Sequence, residues 1–129
     1  MRLLVDAHAL LWWLGADRRL SANARDAIAT AEDPLLGAGT AVEIAIKRSL
    51  GKLEIDADWP DQAQADGFSL FEIAWAHTRR LQELPFPSLA GKLHRDPFDR
   101  LLIAQAFCAR APIVTRDPAF SAYGVPTIW

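Results

Sequence analysis

The chain has 129 residues, 51% of them hydrophobic, which is the size of one domain (1–129) with enough apolar content for a core. A net charge of −2 and a pI near 5.9 exclude a protein that coats nucleic acid by bulk charge, while leaving room for local basic patches. The single cysteine, Cys108, excludes a disulfide framework and a cysteine-rich metal site.

Leu3 to Val5 is a short aliphatic run closing on Asp6, the pattern of a strand buried on both faces with an acid at its carboxyl end. Asp6 and His8 break that run too early for a signal peptide or a membrane span, so a soluble cytoplasmic protein with no membrane partner is expected. Ala7 to Leu14 reads as a helix stopped by Gly15, and its tip Trp12-Trp13-Leu14 is either core or an exposed surface for a partner. Ser21 caps a second helix running to about Ala31, Pro34 ends the connection, and Leu35 to Ala38 is a second strand weakened by two glycines. Thr40-Ala41-Val42-Glu43 matches a capping box, which predicts a third helix with Ile44, Ala45, Ile46 and Leu50 turned inward and Gly51 as its stop.

Pro60 starts a short polar helix ended by Gly67, Phe68 to Ile73 alternates as a third strand, and Ala74 to Leu84 is a helix with Arg79 and Arg80 exposed. The stretch His94-Arg95-Asp96-Pro97-Phe98-Asp99-Arg100 opens the central helix, because an aspartate caps free N–H groups and proline suits the first helical position. Behind it Leu101, Leu102, Ile103, Ala106 and Phe107 leave only Arg100 and Gln105 as polar interruptions, so the helix is expected to be largely buried, with Cys108 packed inside it. Pro112 to Thr115 is a fourth strand, Asp117-Pro118 a second Asp-Pro helix start, and Val125 to Trp129 a last strand. Short aliphatic strands alternating with helices specify an α/β fold with a mostly parallel sheet of about five strands covered on both faces, a three-layer α/β/α arrangement.

In such sheets functional residues gather beyond the carboxyl ends of the strands, where helix N-termini also point. Asp6, Glu43, Asp96, Asp99 and Asp117 all map to that edge. Asp96 and Asp117 have helix capping as an ordinary explanation, Glu43 its capping box and Asp99 the helix dipole, whereas Asp6 closes a strand with no evident capping duty. Two ionised carboxylates about 4 Å apart repel by roughly 4 kcal/mol at an effective dielectric near 20, so converging acids need a positive charge between them. An all-carboxylate set suits Mg²⁺ or Mn²⁺ better than zinc, and such ions bridge carboxylates to phosphates.

The motifs Leu4-Val5-Asp6-Ala7-His8-Ala9-Leu10-Leu11-Trp12-Trp13, Val42-Glu43-Ile44-Ala45-Ile46-Lys47, His94 to Ala106 and Thr115-Arg116-Asp117, in this order, resemble the PIN-domain family. More narrowly they resemble its VapC-type ribonuclease toxins of bacterial toxin–antitoxin systems. The resemblance implies a Mg²⁺- or Mn²⁺-dependent endoribonuclease that dimerises and is inhibited by a cognate antitoxin, with Asp6, Glu43, Asp99 and Asp117 as the acidic metal site. Asp96 is an added candidate, as ligand or as cap. Two departures stand out: Ala7 where a threonine or serine is common, and Ala41-Val42 ahead of the glutamate. The segment Pro87 to Leu93 also looks longer than usual and is placed to reshape the mouth of the site.

Arg95, Arg100 and Arg116 lie beside the acids in sequence and are candidates to hold an RNA backbone, with Lys47, Arg48 and Lys52 extending the track. His8 and His94 are expected to be hydrogen-bonded structural residues. Two other classes remain open: a catalytically impaired PIN module that binds RNA or a protein without cleaving, motivated by Ala7, and a receiver-like phosphotransfer domain. The latter needs a lysine at a late strand end that the chain lacks.

Overall fold

The computed structural model describes all 129 residues. Five parallel strands form one sheet in the order β3-β2-β1-β6-β7, from β1 (Arg2–Val5), β2 (Asp33–Gly37), β3 (Ser69–Phe71), β6 (Ile113–Val114) and β7 (Thr127–Ile128). Helices α1 (Ala7–Leu14), α2 (Ala22–Thr30), α3 (Ala38–Ser49), α4 (Trp59–Ala65), α5 (Trp75–Glu83), α6 (Pro97–Ala109) and α7 (Pro118–Ser121) complete the α/β/α sandwich. A separate antiparallel hairpin, β4 (Ser88–Leu89) and β5 (Lys92–Leu93), rises between α5 and α6.

The period-2 alternation of the strands divides the core. Leu3, Val5, Leu36 and Val114 face a cluster with Leu10, Trp12, Ile28, Ile44, Trp59 and Phe68, while Leu4, Leu35 and Ile113 face one with Leu102, Ile103, Phe120 and Tyr123. The chain runs outward from β1 in one direction through β2 and β3 and returns on its other side with β6 and β7. The sheet therefore has its topological switch point between β1 and β6, where crevices form at strand carboxyl ends.

Three boundaries differ from the sequence expectation, each for a local reason. Pro34 lies inside β2, and its missing N–H is harmless because β3 pairs only from Leu35 onward. Helix α3 starts at Ala38 straight from β2, capped by Gly37 without a side-chain bond, so the Thr40–Glu43 capping box does not form and Thr40 is buried in the first turn. The hairpin occupies Pro87 to Leu93, turning through Ala90 and Gly91, both at positive φ.

Burial corrects three further expectations. Of the four α3 residues expected to face inward only Ile44 is buried, and Ala45, Ile46 and Leu50 are exposed. Cys108 is exposed at the end of α6, whereas the two polar interruptions Arg100 and Gln105 are among that helix's most buried residues. No helix is long and apolar enough to cross a membrane.

Candidate metal centre

Asp6 leaves the end of β1 and caps α1, its Oδ1 accepting the Ala9 amide at 2.8 Å. It therefore does have a capping duty, which the strand-end pattern alone concealed. Its Oδ2 accepts the Thr115 hydroxyl at 2.5 Å, and that hydroxyl in turn accepts the Asp117 amide at 3.0 Å. Asp117 caps α7 through the Ala119 amide at 2.9 Å. Burial pushes the Asp6 carboxyl up, against the Thr115 and Ala9 hydrogen bonds and the nearby His8, and Asp117 adds a further push in the same direction. Asp6, Asp117, Arg116, His8 and Trp12 line one hollow of about 290 Å³ at the switch point.

The second group sits where α3 approaches α6. A Cβ on Gly39 would stand 2.5 Å from Leu101 Cδ2, and one on Gly37 would stand 2.7 Å from Gln105 Oε1, so the two glycines permit this close approach. Glu43 on α3 thereby comes within electrostatic reach of Asp99 on α6. Asp96 caps α6, accepting the Asp99 amide at 2.9 Å. Burial pushes Asp99 up to about 7, with Asp96 and Glu43 adding repulsion and His94, 3.1 Å from Oδ2, opposing it.

The five acids thus lie in two groups, Asp6 with Asp117 and Asp99 with Asp96 and Glu43. No three of these side chains stand close enough to hold one ion in the conformations present. The donor set nevertheless fits a hard divalent cation: every candidate ligand is a carboxylate, and such an ion keeps several of its own waters and needs few direct protein ligands. Both Asp6 and Asp99 are carboxyls whose charge is held at a cost that a cation would relieve.

The basic candidates separate. Arg100 is buried, donates to the Leu84 and Pro85 carbonyls and the Tyr123 hydroxyl, and lies 3.7 Å over the Phe86 ring, so it is a structural residue and cannot serve as a phosphate contact. Lys47 pairs with Glu43 at 3.1 Å, one turn along α3. Arg48 donates to the Ile55 carbonyl at 2.9 Å, and Arg95 is exposed. Arg116 lies 4.7 Å over the Trp12 ring beside the acidic hollow, and Lys47 and Lys52 line an adjoining groove of about 670 Å³ that shares His8 and Trp12 with it.

Of the two tryptophans at the α1 tip, Trp12 belongs to the core and Trp13 is half-buried against it. Trp12 is buried with an edge-on contact to Trp129, and Trp13 packs edge-on to Phe68 while donating its indole N–H to Asp66 at 2.9 Å, so they form no exposed partner surface. His94 is hydrogen-bonded on both ring nitrogens, as expected, whereas His8 is exposed against Trp12. Sequence reasoning missed Tyr123 and gave Thr115 no role at this site. Thr115 stands two residues before Asp117 at a buried strand end, the one signal that could have drawn attention to it.

The model of the PIN domain family matches residues 3–126. The chain belongs to the PIN domain family. No curated protein sequence matches this PIN domain. Among solved structures it is similar to a chain of VapBC2 from Rickettsia felis bound to a DNA fragment from their promoter, at a TM-score of 0.72 and 12% identity, covering 98% of this chain and 97% of that one. It is also similar to a chain of a toxin–antitoxin complex from Klebsiella pneumoniae, at 0.61 and 18% identity, covering 93% and 90%. At these identities the likeness establishes the shared fold.

Proposed function

We propose that this PIN domain, spanning 1–129, is a metal-dependent endoribonuclease that acts as the toxin of a VapC-type toxin–antitoxin pair. The observation that carries the reading is the gathering of Asp6 with Asp117 and of Asp99 with Glu43 and Asp96 at the carboxyl edge of a PIN-domain sheet. Of the lysines and arginines, only Lys47 pairs with any of these acids. The similar folds in toxin–antitoxin complexes support a cognate antitoxin as partner, and the motif resemblance supports a homodimer in the cytoplasm.

Asp6, Glu43, Asp99 and Asp117 would hold Mg²⁺ or Mn²⁺, with Asp96 remaining the α6 cap. Bound there, the ion would supply an activated water and stabilise charge on the phosphodiester being hydrolysed. Thr115 holds Asp6 and the start of α7 in register. Arg116, on its tryptophan platform, and Lys52 along the groove would receive the RNA backbone, with Arg95 and Lys47 at the margins.

The test is cleavage of a structured RNA panel by antitoxin-free protein with Mg²⁺ or Mn²⁺, against EDTA and against Asp6→Asn and Asp99→Asn. Site-specific cuts lost in every control support the nuclease. RNA binding by folded protein without any cut would instead support the impaired module, for which Ala7, lining the groove without a hydroxyl, is the specific observation.

A further inference from the structure

Asp99 is fixed at its backbone by the α6 cap, but its carboxylate is met by a chain of hydrogen bonds running in from the other side. His94 Nε2 stands 3.1 Å from Asp99 Oδ2, and His94 Nδ1 stands 2.6 Å from the Tyr123 hydroxyl. Arg100 Nη1 donates to that hydroxyl at 3.1 Å and to the Pro85 carbonyl at 2.7 Å, while Nη2 reaches the Leu84 carbonyl at 3.3 Å. Tyr123 and Arg100 are buried, and the His94 amide is tied to the Pro87 carbonyl at 2.9 Å, which closes the foot of the hairpin.

The chemistry of each group sets the direction of the chain. A guanidinium only donates, so the Tyr123 oxygen accepts from Arg100 and its own proton must go to an acceptor. His94 Nδ1 at 2.6 Å is the nearer of its two choices, the other being the His94 carbonyl at 3.4 Å. With Nδ1 accepting, the ring proton sits on Nε2 and points to Asp99 Oδ2. Every donor therefore faces one way, from Arg100 through Tyr123 and His94 to the carboxylate.

We propose that His94, aligned by Tyr123 and Arg100, is a positioning residue that occupies Asp99 Oδ2 and so leaves Oδ1 as the atom that ligates the divalent cation. This rests on the reading of Asp99 as a metal ligand. A rigid ring restrains the carboxylate without supplying a permanent cation that would compete with the metal, as an arginine or lysine in its place would. Orienting hydrogen bonds to ligating carboxylates typically carry 10–100-fold in metal affinity.

The experiment measures Mn²⁺ binding by electron paramagnetic resonance of the free ion, with no RNA present, on wild type, His94→Leu, His94→Gln, Tyr123→Phe and Asp99→Asn, each checked for folding by circular dichroism. His94→Leu should weaken Mn²⁺ binding about tenfold. His94→Gln, whose amide can still donate to Asp99, should restore most of the loss, and Tyr123→Phe should weaken binding in the same direction by a smaller factor. If His94→Leu does not fold, the Gln and Phe variants carry the comparison. Folded His94→Leu and Tyr123→Phe that bind Mn²⁺ like wild type, while Asp99→Asn does not, would overturn the positioning role and leave the metal site standing. Unchanged binding by Asp99→Asn would overturn the ligand assignment itself, and the positioning role with it.

Discussion

The hydroxyl of Thr115 meets the carboxylate of Asp6 across 2.5 Å, joining residues 109 apart in sequence at the adjacent ends of β6 and β1. The same oxygen accepts the Asp117 amide, so one buried side chain holds two candidate ligands in place. Thr115→Val keeps the shape and removes both bonds, which leaves a buried carboxylate oxygen and an amide unpaired. The expected loss is about 1–3 kcal/mol in urea denaturation, with Thr115→Ser retaining most of the stability.

Asp99 also makes stability depend on pH in a definite direction. Folded Asp99 keeps its proton up to about pH 7, whereas the unfolded chain releases it near 3.8. Between those values the folded state binds more protons, so this contribution is largest at the acid end and falls as pH rises, by at most about 1.4 kcal/mol per pH unit. The raised Asp6 adds a term of the same sign. In EDTA, the stability of Asp99→Asn relative to wild type should therefore increase between pH 5 and pH 7.5, measured by urea denaturation at each pH. A difference independent of pH would remove Asp99 as its source.

Divalent cations should reverse that order. A metal needs its carboxylates ionised, so Mn²⁺ should raise the melting temperature of wild type more at pH 8 than at pH 6. At one hundred times the dissociation constant the gain is about 2.7 kcal/mol. Asp99→Asn, which without metal should gain on wild type as pH rises, should show little of that shift, the signature of a charge kept for function at the expense of stability.

Much of this architecture was legible because local and global signals agreed. Leu3 to Val5 and Ile113-Val114 are strands buried on both faces, and Asp96-Pro97 starts α6 where capping chemistry says it should. Where they disagreed the sequence misled. Thr40 and Glu43 have capping-box spacing, but the tight β2–α3 junction, made possible by Gly37 and Gly39 against α6, starts the helix three residues earlier. The β4–β5 hairpin has two-residue strands and an Ala90-Gly91 turn in place of the usual Asn-Gly, too little for a periodic signal. Arg100 looked like a phosphate contact because sequence adjacency to Asp99 says nothing about direction; one step along a helix turns it into the core. The grouping of Tyr123 with His94 spans 29 residues and has no local signature at all.

The α1 tip, which the sequence left open, and the α3 face, which it placed inward, should respond oppositely to substitution. Trp12 sits between Trp129, Arg19 and Arg116, so Trp12→Ala should cost about 3–5 kcal/mol. Ile46→Lys, on the exposed face of α3, should change stability by no more than about 0.5 kcal/mol. Thermal or urea unfolding of the pair decides the matter, and a well-folded Trp12→Ala would return those tryptophans to the surface.

Arg100 and Arg116 offer the sharpest separation of structure from function, since both stand next to candidate ligands and only Arg116 is exposed. Arg100→Met removes the donors to the Leu84 and Pro85 carbonyls and the Tyr123 hydroxyl, at a cost of about 1–3 kcal/mol for the groups left unpaired. Arg116→Ala should leave stability within about 1 kcal/mol, because its packing on Trp12 is a cation–π interaction at the edge of solvent. RNA binding should divide the other way. Removing a phosphate-binding cation at position 116 lowers the salt slope of binding by about 1, while the slope of folded Arg100→Met stays where it was. A slope unchanged in Arg116→Ala would place the RNA track elsewhere on the rim, with Lys52 as the next position to test by the same measurement.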